Sequence, residues 1–96
     1  MMFYHATSKK LIPIIKKVGL KPGKPGVFGG KGGVYLTRKL SAARGIARQR
    51  HEQTDEPQAI LAVDIKDPDP SKFMVVVPSV AASAVLGVVN SKGEIQ

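Results

Sequence analysis

In a chain without cysteine few side chains can do chemistry, and the most suggestive of them stand in two short runs. One is Phe3-Tyr4-His5-Ala6-Thr7-Ser8, the other Gly32-Gly33-Val34-Tyr35-Leu36-Thr37. Both read as short β-strands, aromatic and closed by hydroxyl residues. Histidine brings a ring that titrates near neutral pH, with nitrogens that donate or accept hydrogen bonds. Tyrosine brings a flat apolar face on which a ligand ring can stack. Two such strands side by side would put His5 and Tyr35 on one rim, with Thr7 and Thr37 beside them. Both rings also have plainer uses: a strand-end histidine bonds locally, and a strand tyrosine packs half-buried. The other adjacent pair of titratable groups, His51-Glu52, falls in a polar turn and reads as solvated.

The charge pattern points to the kind of ligand. The formal net charge is +8. Residues 1–51 carry twelve lysines and arginines and no acid, whereas residues 52–96 carry three against seven acids. A wholly basic half is the electrostatic footprint expected for a polyanion or a phosphorylated ligand. Lys31, Arg38, Lys39, Arg44 and Arg48 are the candidate contacts to phosphate or nucleic acid. The glycine-rich stretch 19–33 invites comparison with a phosphate-binding loop, but the spacing fails. Counting back five from Gly30-Lys31 lands on Pro25, and Gly32 stands where serine or threonine is needed. The dinucleotide pattern of three spaced glycines is missing too. Single-strand binding by stacking is poorly served by three phenylalanines, two tyrosines and no tryptophan.

Ninety-six residues form one domain, 1–96, which buries roughly 65% of its unfolded surface. The lack of cysteine excludes disulfides, thiolate metal sites and a cysteine nucleophile, and suits a cytoplasmic protein. No metal site is expected. No leader pattern opens the chain, since lysines arrive at positions 9 and 10. The long uncharged stretch Phe73–Ser91 is broken by Pro78, Ser79, Ser83 and Asn90, and reads as two strands and a turn, not a membrane span.

The elements that must position His5 and Tyr35 follow in order. Met2–Ala6 is a first strand. Ser8 is a candidate cap, and Leu11, Ile14, Ile15 and Val18 recur at helical spacing. Pro13 favours a turn to Ile12 and a short helix that opens on the proline and ends at Gly19. Gly33–Thr37 is a second strand. Thr37 or Ser41 caps a helix to about Gln49, with Leu40, Ala43 and Ala47 as its buried stripe, Ile46 as a candidate fourth member, and a close packing contact expected at Gly45. A polar turn spans His51–Pro57. Gln58–Ile65, Lys72–Val77 and Val85–Val89 are three further strands, with Asp67-Pro68-Asp69-Pro70 a stiff turn.

These residues together resemble the ADP-ribosyltransferase-like fold. The resemblance lies in Tyr4-His5-Ala6-Thr7-Ser8, then Val18-Gly19-Leu20-Lys21-Pro22, then Gly33-Val34-Tyr35-Leu36-Thr37 ahead of Ala42-Ala43-Arg44. Pro78-Ser79-Val80 and Val85-Leu86-Gly87-Val88 look like the family's closing strands. The match is to the histidine–tyrosine branch and covers most of the chain in order. It implies a compact α+β domain of about five short strands in a split sheet with two helices. It also implies a cleft for NAD or a related nucleotide, with transfer of ADP-ribose to a protein or nucleic acid. By that resemblance His5 bonds a ribose hydroxyl, the Ala6 backbone holds the nicotinamide amide and Tyr35 stacks on the ring. Thr7 and Thr37 are helpers, and the basic half favours the pyrophosphate. The sequence departs from the family where an acid should open the strand Val75-Val76-Val77: Met74 stands there. Two readings follow, an NAD-dependent transferase that is active or degenerate, and a non-catalytic basic module for nucleic acid, an acidic protein or a phosphorylated ligand.

Overall fold

The computed structural model describes residues 1–21 and 33–96. Most of the glycine-rich stretch, with Lys24 and Lys31, lies outside the described residues. Five strands make one antiparallel sheet: β1 (Met2–Ser8), β2 (Val34–Thr37), β3 (Gln58–Asp64), β4 (Met74–Val77) and β5 (Val85–Val89). Their order is β4-β2-β1-β3-β5. Helix α1 (Ile12–Val18) follows a 3-10 turn over Lys9–Leu11, and α2 (Leu40–Thr54) follows β2.

Alternation along the strands divides the core into two layers. Phe3, Val34, Leu36, Leu61, Val63 and Val75 point to one side, where Ile15 of α1, Leu20 and Val80 close over them. Ile60, Ala62 and Val89 point to the other, beneath Ala43 of α2, with Tyr4, Leu40 and Ala47 around them. Covered on both sides, β3 is buried from Ala59 through Val63. Full burial of Phe3 or Leu61 stabilises by about 1.5–3 kcal/mol each. The alanines at 43 and 47 let α2 lie close over Ile60 and Ala62, and they fix where its later residues fall.

The sheet is continuous but unevenly knit. β1 pairs with β3 along its whole length, from Met2↔Asp64 to Ser8↔Gln58. With β2 it shares the single register pair Tyr4↔Thr37. β2 in turn pairs fully with β4, from Val34↔Val77 to Thr37↔Met74. One pair thus joins a two-strand half to a three-strand half, and beyond it β1 and β2 part as a fork.

Several sequence expectations are corrected. Leu11, Ile14 and Val18 are exposed and only Ile15 of α1 is buried, because a helix this short presents one residue to the sheet. Pro13 lies within the first turn of α1, which Ile12 begins. Gly19 ends the helix at φ 81°, and Leu20 and Val80 exchange backbone bonds of 2.8 and 2.9 Å. Ser8 donates to Glu56 Oε2 instead of capping α1. Neither Thr37 nor Ser41 caps α2: its N-cap is Lys39, and Thr37 Oγ1 donates to the Lys39 carbonyl. The helix does not stop near Gln49 but runs to Thr54, where Asp55 in the left-handed region (φ 57°) ends it. A Cβ at Gly45 would meet nothing within 4 Å, so no packing contact requires glycine there. β1 runs on to Ser8, β3 stops at Asp64 and β4 starts at Met74; β5 has the bounds expected of it.

Candidate functional site

The fork between β1 and β2 is where the candidate residues meet. Continuing the count from Tyr4↔Thr37 sets His5 level with Leu36 and Ala6 level with Tyr35. Tyr35 and Ala6 therefore share the α2 side, whereas His5 belongs by alternation to the side of Phe3 and Leu36. The expectation of His5 and Tyr35 side by side on one rim is corrected by that one-residue offset. The two are nevertheless coupled, because the His5 ring turns into the fork and its Nδ1 lies 2.8 Å from the Tyr35 carbonyl.

This contact assigns the histidine's proton. A carbonyl oxygen only accepts, so Nδ1 carries the hydrogen and neutral His5 keeps its lone pair on Nε2. Burial is the main force holding the His5 pKa below its ordinary 6.5. The bond to the Tyr35 carbonyl opposes it, and the positive charge of Arg50 adds to it. At pH 7 the ring is neutral, fixed in orientation, and able to accept a hydroxyl proton at Nε2.

Sequence reasoning missed Arg50. It lies on the stripe of α2 that Ala43 and Ala47 set, one residue past the expected end of the helix. The signal was the spacing 43, 47, 50, visible only if the helix outruns Gln49. Its Nη1 donates to the Ala6 carbonyl at 3.0 Å. Burial pushes the guanidinium below its ordinary value, yet arginine remains charged at any ordinary pH. The Ala6 carbonyl, expected to face a nicotinamide amide, thus has an arginine on it.

The other expected helpers hold the frame. Thr37 is buried, with its hydroxyl on the Lys39 carbonyl. Thr7 is also buried, opposite Ala59 in β3. Met74 opens β4 beside Thr37, and no acid shares its row with Thr37 and Tyr4.

The expected basic face is largely dispersed. Arg38 forms a bidentate pair with Asp67, donates to the carbonyls of Asp69 and Lys72, and lies 5.0 Å from the Phe3 ring centre. It clamps the 67–72 turn against the end of β2, so Asp67 is a second residue that sequence reasoning did not place. The Arg38 guanidinium holds the Asp67 carboxyl below its usual range. Lys39 lies over the Phe73 ring at 5.9 Å. Arg44 donates to the Ser91 carbonyl at 3.0 Å and lines a groove of about 410 Å³ between α2 and β5, with Lys9, Gln58 and Asn90. Arg48 is exposed on α2. Of the cations proposed for phosphate, Arg38, Lys39 and Arg44 are thus engaged inside the domain, and Lys31 lies outside the described residues.

Among the described residues no helix is long and apolar enough to cross a membrane. No family model matches the chain, and neither does any curated protein.

Proposed function

We propose that the fork between β1 and β2 is a nucleotide cleft of the ADP-ribosyltransferase type, which binds NAD and transfers ADP-ribose slowly or not at all. The observation that carries this reading is the His5–Tyr35 bond at the crotch of the fork. It leaves Nε2 as a fixed acceptor for a ribose hydroxyl beside the Tyr35 backbone, with the Tyr35 ring and Ala6 on the α2 side of the same fork. In this reading the nicotinamide lies against Tyr35, and the ribose hydroxyl donates to His5. A transferase must also stabilise the cationic ribose left when the bond to nicotinamide breaks. An acid placed for that purpose acts on the transition state more than on the ground state. Met74 offers no charge, and Arg50 beside His5 has the opposite sign. Binding without efficient transfer is what this combination supports.

Calorimetric titration with NAD, paired with a nicotinamide-release assay, tests the reading. The native protein should bind NAD and release little nicotinamide. Tyr35→Ala should weaken binding by about tenfold, since a stacked ring contributes on the order of 1 kcal/mol beyond its buried area. Absence of NAD binding by a folded native protein would refute the reading. Rapid release would refute the slow-transfer part of it.

A further inference from the structure

We propose that the groove between α2 and β5 is a separate ligand site, which takes a small phosphate monoester such as a mononucleotide or a sugar phosphate. The site does not depend on the fork. It arises because the sheet order leaves β5 at an edge, while α2 lies over Ile60 and Ala62 of β3. Ala47 is too short to fill the space that remains, and a hollow of about 410 Å³ opens beside Ile60 and Val89. That volume falls within the range of small-molecule sites. These three side chains offer apolar contact to the body of a ligand.

The charged side chains of the lining have one sign. Lys9 and Arg44 border the groove, and no aspartate or glutamate does. Three ion pairs join described residues, and neither cation belongs to any of them. Arg44 donates through Nη2 to the carbonyls of Ser91 at 3.0 Å and Asn90 at 3.5 Å. These bonds fix the guanidinium without neutralising it. Lys9 is held by its backbone, whose N–H donates to the Pro57 carbonyl at 3.0 Å. Its exposed side chain supplies a flexible ammonium that can follow an anion. Side-chain oxygens that would repel an anion are withheld. Gln58 Oε1 is buried from solvent. Asn90 Oδ1 accepts the backbone N–H groups of Lys92 and Glu94, each at 2.9 Å, and the Glu94 carboxylate is held on the Asn90 amide at 3.1 Å. A guanidinium engages two phosphate oxygens at once, and an ammonium adds a second charge. A dianionic monoester matches both cations, whereas a dinucleotide carries one charge per phosphate and no terminal monoester.

The test titrates labelled native protein, Arg44→Gln and Lys9→Gln with AMP, ribose 5-phosphate and adenosine, followed by NMR, with circular dichroism to confirm folding. On the native protein both phosphates should give saturable shifts centred on residues 58–60 and 88–91. Both should bind at least tenfold more tightly than adenosine. The second ionisation of a phosphate monoester lies near pH 6, so their affinity should rise between pH 5 and pH 7. Each substitution falls at an exposed residue and should weaken both phosphates about tenfold or more, the loss expected for a charged hydrogen bond. Adenosine should be unaffected. Tighter binding of AMP than of ribose 5-phosphate would identify the ligand as a nucleotide, and equal binding as a sugar phosphate. No binding of either phosphate, shifts centred on the fork, adenosine binding as tight as AMP, or affinities unchanged in both folded variants would each overturn the proposal. Should Arg44→Gln disturb the turn it holds, Lys9→Gln still decides.

Discussion

Replacing Met74 with glutamate should turn a binding cleft toward catalysis, by an amount that reports how close the new carboxylate comes to the reacting ribose. Met74 pairs with Thr37 and is the diagonal neighbour of Tyr35, whose direct partner is Val76. Diagonal neighbours in a sheet lie about 7–8 Å apart. At about 7 Å, a carboxylate and a developing positive charge attract by about 0.6 kcal/mol in water and about 2.4 kcal/mol at an effective dielectric constant of 20. Those limits correspond to rate gains of about 3-fold and 60-fold. Direct contact with the ribose would give about 10²–10³-fold. Met74 is 37% exposed on an edge strand, so the carboxylate keeps much of its hydration and folding should change by under about 1 kcal/mol. The assay is nicotinamide release at saturating NAD, native against Met74→Glu, with dissociation constants measured alongside. A gain of 3-fold to 60-fold with little change in affinity is the expected result. No gain in a folded variant that still binds NAD would refute the placement of β4 beside the reacting centre.

Three further outcomes follow from the geometry. Gly45→Ala should stabilise the protein by about 1 kcal/mol, a rise of some 4–8 °C in thermal midpoint, because the methyl group meets no neighbour; a fall would show a hidden contact. His5 should titrate below 6.5 in an NMR pH series. The unfolded chain then takes up that proton first, so His5's contribution to stability should fall as pH drops from about 6.5 toward the folded value, and the folded pKa should rise in Arg50→Gln. Asp67, held low by Arg38, contributes stability that is present above the unfolded carboxylate pKa near 3.9 and lost as pH falls through its lower folded value. Asp67→Asn should therefore lower the thermal midpoint at neutral pH and flatten its decline in acid.

The strands were legible because their apolar alternation is strong, and β5 kept its bounds as read. Helix α2 was cut short in the reading because Arg48, Gln49, Arg50 and His51 look like a polar exit. Only the packing of Ala43 and Ala47 on Ile60 and Ala62 carries the helix on to place Arg50. The neighbourhood of β1 and β2 was legible, whereas their register was not: a one-residue offset decides which face a strand residue takes, and no local pattern encodes it. Arg38 looked like a free cation since its partner is 29 residues away, in a turn whose prolines drew attention from its aspartates. Ser8, Thr37 and Ser41 looked like helix caps by type, but longer-range partners or backbone geometry took the first two elsewhere.

The central claim is that the fork holds a nucleotide through His5, Ala6 and Tyr35. Its most direct measurement is an NMR titration of labelled native protein with NAD, following the backbone amides and the His5 ring. The account predicts saturable shifts centred on residues 5–6 and 35–36, with the His5 Nε2 resonance moving as it accepts a ribose hydroxyl. Shifts confined to the groove between α2 and β5, or none at any concentration, would contradict it.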